Sequence, residues 1–218
     1  MNKKLKFILL PIVIMVTCTL LFFNSSFYGQ YSKSDYDAVR KARGEHYIHQ
    51  VLHQEPIDGG IVIFYLHRTN ERDSVLAADY IKHTLFGWKW VYGGMHSVGM
   101  MDEFNTDAAL LTTFTEQYFP GTEGSEFGKS PFPMLFGQIK NSQVQNIIIE
   151  DKLNGKKHQA EVVSVNRNNK LWFSFVEKES KNFEIYANDS HGDLVVKKQA
   201  TTNLSDQSSV SSGVSKVK

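Results

Sequence analysis

The chain has 218 residues, with 24 Lys+Arg against 23 Asp+Glu and a formal net charge of +1. That balance offers no basic field to hold nucleic acid. Its single cysteine, Cys18, excludes an internal disulfide and a thiolate metal site.

The chain opens with Lys3, Lys4 and Lys6 ahead of an apolar run from Phe7 to Phe23. The run is roughly 17 residues, at the short end of what crosses a bilayer and longer than a usual signal-peptide core. No pair of small residues with cleavage-site spacing follows it, so residues 1–30 are expected to be an uncleaved membrane anchor, with Phe7, Leu10, Ile14, Leu20 and Phe23 in the lipid. Cys18 reads as a small hydrophobe inside that helix. Three lysines on the short side predict a single-pass protein with a cytoplasmic N-terminus and an extracytoplasmic C-terminal domain. Without them the balance is 21 basic against 23 acidic residues, a net charge of −2 for the exported part.

Ser34 to Gln54 reads as a helix: Ser34 can cap it, Asp35 and Asp37 suit its first turn, and Pro56 follows its end. Tyr36, Tyr47, Ile48, Val51 and Leu52 fall on one arc at 100° per residue. The same spacing puts His46, His49 and His53 on one stripe, where imidazoles could share a metal. That stripe lies opposite the apolar arc and has no acidic or thiolate partner, so it reads as polar surface.

Gly59-Gly60 introduces Ile61 to Leu66, a continuous apolar run of the kind that forms a buried strand. Ser74 to Leu85 fits both periods: Ala77, Tyr80, Ile81, Thr84 and Leu85 share a helical face, whereas Val75, Ala77, Asp79 and Ile81 alternate. A hairpin return through the polar 69–73 segment tips the reading to strand. Trp88, Trp90 and Tyr92 alternate between glycines, which on a regular strand projects all three rings from one face. Exposed, they would form a stacking platform for sugars or a partner; buried, they are core. Ala109 to Tyr118 is another expected strand.

From Pro131 onward, Val144 to Glu150, Gln159 to Val165, Leu171 to Val176, Phe183 to Ala187 and Leu194 to Lys197 read as strands joined by turns. Asn154-Gly155 suits a type I′ hairpin. The expected architecture is α+β: residues 1–30 an N-terminal transmembrane helix, residues 31–198 one extracytoplasmic domain with a helix packed on antiparallel sheet and a β-meander as its second half, and residues 199–218 a disordered tail. The tail is rich in Ser, Thr and Lys and has no aromatic residue.

The segments Thr84-Leu85-Phe86-Gly87-Trp88-Lys89-Trp90, Pro131-Phe132-Pro133-Met134-Leu135-Phe136-Gly137 and Leu171-Trp172-Phe173 resemble small exported or membrane-anchored proteins of Gram-positive bacteria. The resemblance implies a bacterial envelope address and brings no assigned activity or catalytic residue.

Gly124-Ser125-Glu126-Phe127-Gly128-Lys129-Ser130 approaches a phosphate-binding loop, but only three residues separate its glycines, and Pro131 and Pro133 oppose the helix that must follow. As a nucleophile elbow it also fails, because Ser125 directly follows Gly124. No nucleotide and no cofactor is implied. The expectation is therefore a non-catalytic envelope binding or accessory module whose partner is an envelope protein or the cell wall. The alternative is an envelope hydrolase acting on glycan or peptide.

Overall fold

The computed structural model describes residues 3–23, 29–68, 74–95, 113–125, 128–166 and 169–201. Among them are two helices, α1 (Lys3–Phe23) and α2 (Asp35–Arg43), and twelve strands. The strands are β1 (Gln50–Ile57), β2 (Gly60–Arg68), β3 (Ser74–Thr84), β4 (Gly87–Met95), β5 (Gln117–Phe119), β6 (Met134–Ile139), β7 (Asn146–Asp151), β8 (Lys157–Gln159), β9 (Glu161–Ser164), β10 (Lys170–Phe175), β11 (Asn182–Asn188) and β12 (Leu194–Thr201). They form three four-stranded antiparallel sheets, ordered β1-β2-β3-β4, β5-β6-β10-β9 and β12-β11-β7-β8.

The expected α+β class is thus corrected to a mostly β fold. Gly44 explains most of the change. It ends α2 with φ 115° while its N–H donates to the Arg40 carbonyl, so the helix read over 34–54 stops after nine residues. The chain beyond returns as β1, an edge strand, where Pro56 is tolerated because no inner neighbour needs its missing N–H. Ser34 does cap the helix, accepting from the Asp37 N–H at 3.0 Å.

The single-pass anchor expected from Phe7, Leu10, Ile14, Leu20 and Phe23, and the membrane localisation built on it, are corrected as well. Among the described residues no helix is long and apolar enough to cross a membrane. The helix α1 contains Pro11, whose ring and missing N–H interrupt the intrahelical hydrogen-bond ladder.

The layers follow from alternation along the strands. In β2, Ile61, Ile63 and Tyr65 pack toward α2 with Ala38, Val39 and Ile48, while Val62 and Phe64 face the second sheet. The second sheet is buried on both sides. Met134, Phe136, Leu171 and Phe173 meet the first sheet, and Leu135, Ile139 and Trp172 meet the third. This double burial is why Met134-Leu135-Phe136 in β6 and Leu171-Trp172-Phe173 in β10 are consecutive apolar residues.

The second half is not a meander. The chain bends at the buried Ala160, whose N–H donates to the Ile147 carbonyl at 2.9 Å, so β8 and β9 carry one segment from the third sheet into the second. Strands β10 and β11 likewise lie in different sheets. Around the open side, Lys198 of β12 donates to the Phe114 carbonyl and pairs with Glu116 at 3.0 Å, so the two sheets wrap one interior. Trp172 fills that interior with no exposure, and its indole N–H donates to the Thr115 carbonyl at 2.9 Å.

Other local expectations shift as well. Gly155 has φ 72° but no non-glycine residue has positive φ among the described residues, so Asn154-Gly155 sits in a longer loop than a type I′ turn. In that loop the Asp151 N–H donates to the Lys156 carbonyl. Strand β12 runs to Thr201. The rest of the expected tail, the 69–73 turn and the 109–112 part of the expected strand lie outside the described residues.

Replacing Trp172 with Ala is expected to cost about 3–5 kcal/mol, as for other large aromatic truncations in cores. Leu85 is fully exposed, and Leu85→Ala is expected to stay within about 0.5 kcal/mol. Urea denaturation of both variants checks the contrast.

Candidate functional site

Asp79 is the most demanding residue in the first sheet. Alternation through Val75, Ala77 and Ile81 carries it onto the face covered by α2, where it has no exposed surface. A carboxylate there needs partners, because burying an unpaired charge is very costly. Arg43, in the last turn of α2, donates from Nη2 to Asp79 Oδ1 at 3.0 Å, and the Tyr65 hydroxyl donates to Oδ2 at 2.8 Å. Burial pushes the Asp79 carboxyl above its usual range; the Arg43 charge and the hydrogen bonds from Arg43 and Tyr65 pull it back. The Trp90 indole N–H lowers it too, although its buried nitrogen falls short of a hydrogen bond by geometry. Burial and the Asp79 charge push the Tyr65 hydroxyl far up, so it remains a donor.

The Arg43 guanidinium lies 4.9 Å from the Trp90 ring centroid and 5.5 Å from that of Tyr47, between two aromatic faces. Strand β4 passes so close that a Cβ added to Gly93 would stand 1.8 Å from Asp79 Oδ1. The pair therefore fixes α2, Trp90 and β4 relative to one another.

Beside this network, a cavity of about 590 Å³ opens between α2 and the β3–β4 pair. Its lining includes Gln30, Tyr31, Lys41, Lys82, Lys89 and Trp90, and among the described residues no carboxylate and no histidine lines it. Lys82 and Lys89 are directly opposed across β3 and β4. Lys41 donates from Nζ to the Tyr31 carbonyl at 3.1 Å, which ties the segment before α2 to the rim.

The three rings expected on one face are divided. Tyr80 pairs with Tyr92 and Ile81 with Trp90, so Val91 is an extra residue in a β-bulge. Trp88 and Trp90 pack on the α2 side, whereas Tyr92 packs toward the second sheet, with Phe119 and Phe132 at 5.9 and 5.8 Å. All three are partly buried. Only Trp90 lines the cavity.

The histidine row is dispersed because its helix ends at Arg43. His46 sits in an exposed turn, His49 meets Arg68 at 2.9 Å, and His53 lies in β1 with Nε2 3.1 Å from Glu55 Oε2. Glu161 of β9 joins the latter two, and one ligand atom from each of the three falls within 4.8 Å of the others. The spacing His53-x-Glu55 carries the signal for this grouping only when the segment is read as a strand. Of the loop-like Gly124–Ser130 stretch, Ser125 and Gly128 hydrogen-bond locally around Thr122, and the next element is strand β6.

Comparison with family models, with curated proteins and with solved structures finds no match to this chain.

Gly93→Ala is expected to lower stability strongly, by more than about 2 kcal/mol, because the new methyl meets buried backbone and carboxylate together. Gly155→Ala meets nothing within 4 Å but keeps a positive φ. It is expected to cost about 1–2 kcal/mol from backbone strain alone. Thermal melts of the two variants rank them.

Proposed function

We propose that the chain is a non-catalytic binding module whose cavity between α2 and the β3–β4 pair receives a small anionic ligand. The carrying observation is that Lys41, Lys82, Lys89 and Trp90 all line one cavity, and that among the described residues no carboxylate lines it. Folding alone gives little reason for this arrangement. Like charges directly opposed across strands are destabilising, on the scale of 0.2–1 kcal/mol that such pairs contribute, roughly.

The cavity's volume of about 590 Å³ lies within the range of pockets that take small molecules. Lysines supply compact charge for phosphate or carboxylate groups, and the Trp90 face supplies an apolar wall for a ring. Arg43 does not compete for the ligand's charge, because Asp79 already holds it. A hydrolase would need a base or nucleophile near its ligand, and among the described residues neither a histidine nor a carboxylate lines this cavity.

Titration with pyrophosphate and with glucuronate, followed by tryptophan fluorescence, is expected to give saturable binding to at least one of them that weakens as salt is raised. The double variant Lys82→Ala/Lys89→Ala should weaken that binding by about tenfold or more, equivalent to ~1.4 kcal/mol, while leaving the unfolding midpoint unchanged or raised. Absence of saturable binding to either probe, or affinity untouched in the double variant, refutes the reading.

A further inference from the structure

We propose that His53, Glu55 and Glu161 form a binding site for one divalent transition-metal cation of the zinc and manganese class. The site lies at β1, the opposite edge of the first sheet from the β4 cavity, and does not rest on the anionic-ligand reading.

The grouping follows from register. A bulge at Leu52 shifts β1 so that Val51 pairs with Tyr65 and His53 with Phe64; Glu55 then pairs with Val62. Phe64 and Val62 both face the second sheet, so His53 and Glu55, two residues apart on one strand, share that side. On the second sheet, Glu161 opens β9 and pairs with Phe173, which faces the first sheet. Two edge strands from different sheets thus deliver three donors to one place, with one ligand atom of each within 4.8 Å of the others.

The imidazole is held before any ligand arrives. Its ring stacks at 5.6 Å on Phe173 and 6.2 Å on Phe64, at angles of 28° and 27°. Those contacts leave the Nε2 edge turned to Glu55 Oε2 at 3.1 Å. His53 and Glu55 side chains are 22% and 24% exposed and Glu161 is open to solvent, so a cation can enter without unfolding the sheet edge. Among the described residues, Glu55 has His53 as its ion-pair partner and Glu161 has none.

Two carboxylates and a neutral imidazole would match the charge of a divalent ion. One nitrogen and two oxygen donors suit zinc, manganese or iron(II), whereas calcium favours oxygen alone and copper(I) favours sulfur. Three protein ligands leave at least one position for water, the arrangement that open zinc sites use.

The test is calorimetric titration of the whole chain with Zn²⁺, with Co²⁺ as a spectroscopic substitute. One equivalent is expected to bind with micromolar affinity and to raise the unfolding temperature through linkage. Glu161→Gln changes an exposed side chain and should leave the metal-free melting temperature unaltered, yet weaken Zn²⁺ binding by about tenfold or more. His53→Gln should do the same, although its contacts with Phe64 and Phe173 make Glu161→Gln the cleaner variant. The double variant His46→Gln/His49→Gln should bind as the parent does. Zn²⁺ binding that survives Glu161→Gln unchanged, binding lost only with His46 and His49, or no binding in the micromolar range overturns the proposal.

Discussion

A carboxylate with no exposure constrains the first layer of this protein. Asp79 sits on the one face of β3 that α2 covers, and its charge has to be met there by Arg43 and Tyr65. Meeting it dictates much else. The helix must end within reach of β3, which Gly44 accomplishes, and β4 must pass close by, which Gly93 permits. Arg43 must lie over the rings of Tyr47 and Trp90. The cavity with its three lysines is the space beside this arrangement, so the proposed ligand site inherits its shape from a buried ion pair. Such pairs seldom add net stability compared with an apolar replacement, but they fix geometry strongly because either member alone is costly.

The remaining layers depend on apolar alternation. The second sheet separates two clusters: Phe136 and Phe173 belong to one, Leu135 and Trp172 to the other. Its strands can therefore hold the first sheet on one side and wrap the third around the other. Where the chain changes sheets, at Ala160, a small buried residue makes the bend. The second candidate site follows from the same layering, since Glu55 and Glu161 approach each other only because the edges of two sheets are stacked.

Much of the strand content was legible in the residues. The run from Ile61 to Leu66, the β-rich segments after Val144 and the strand reading of Ser74 to Leu85 all correspond to strands. The α+β class failed at Gly44, which ends the helix within an apolar arc that continues through Tyr47 and Ile48 into β1. Both residues do pack beneath the helix side, from irregular chain, so the arc was real and its period misleading. The meander failed because pairing between distant segments, such as β6 with β10, leaves no local trace. One residue of bulge at Val91 was enough to part Tyr92 from Trp88 and Trp90. Asp79 was visible as the lone acid in an apolar alternation, but its partner, 36 positions away, was not.

The most direct test of the account is a double-mutant cycle on the Arg43–Asp79 pair, read by chemical denaturation. Arg43→Met alone leaves a buried carboxylate without its cation and should cost about 3–5 kcal/mol. Arg43→Met/Asp79→Leu, which removes both charges, should recover most of that loss. Additive losses, with the double variant as unstable as the sum of Arg43→Met and Asp79→Leu measured separately, would contradict the account.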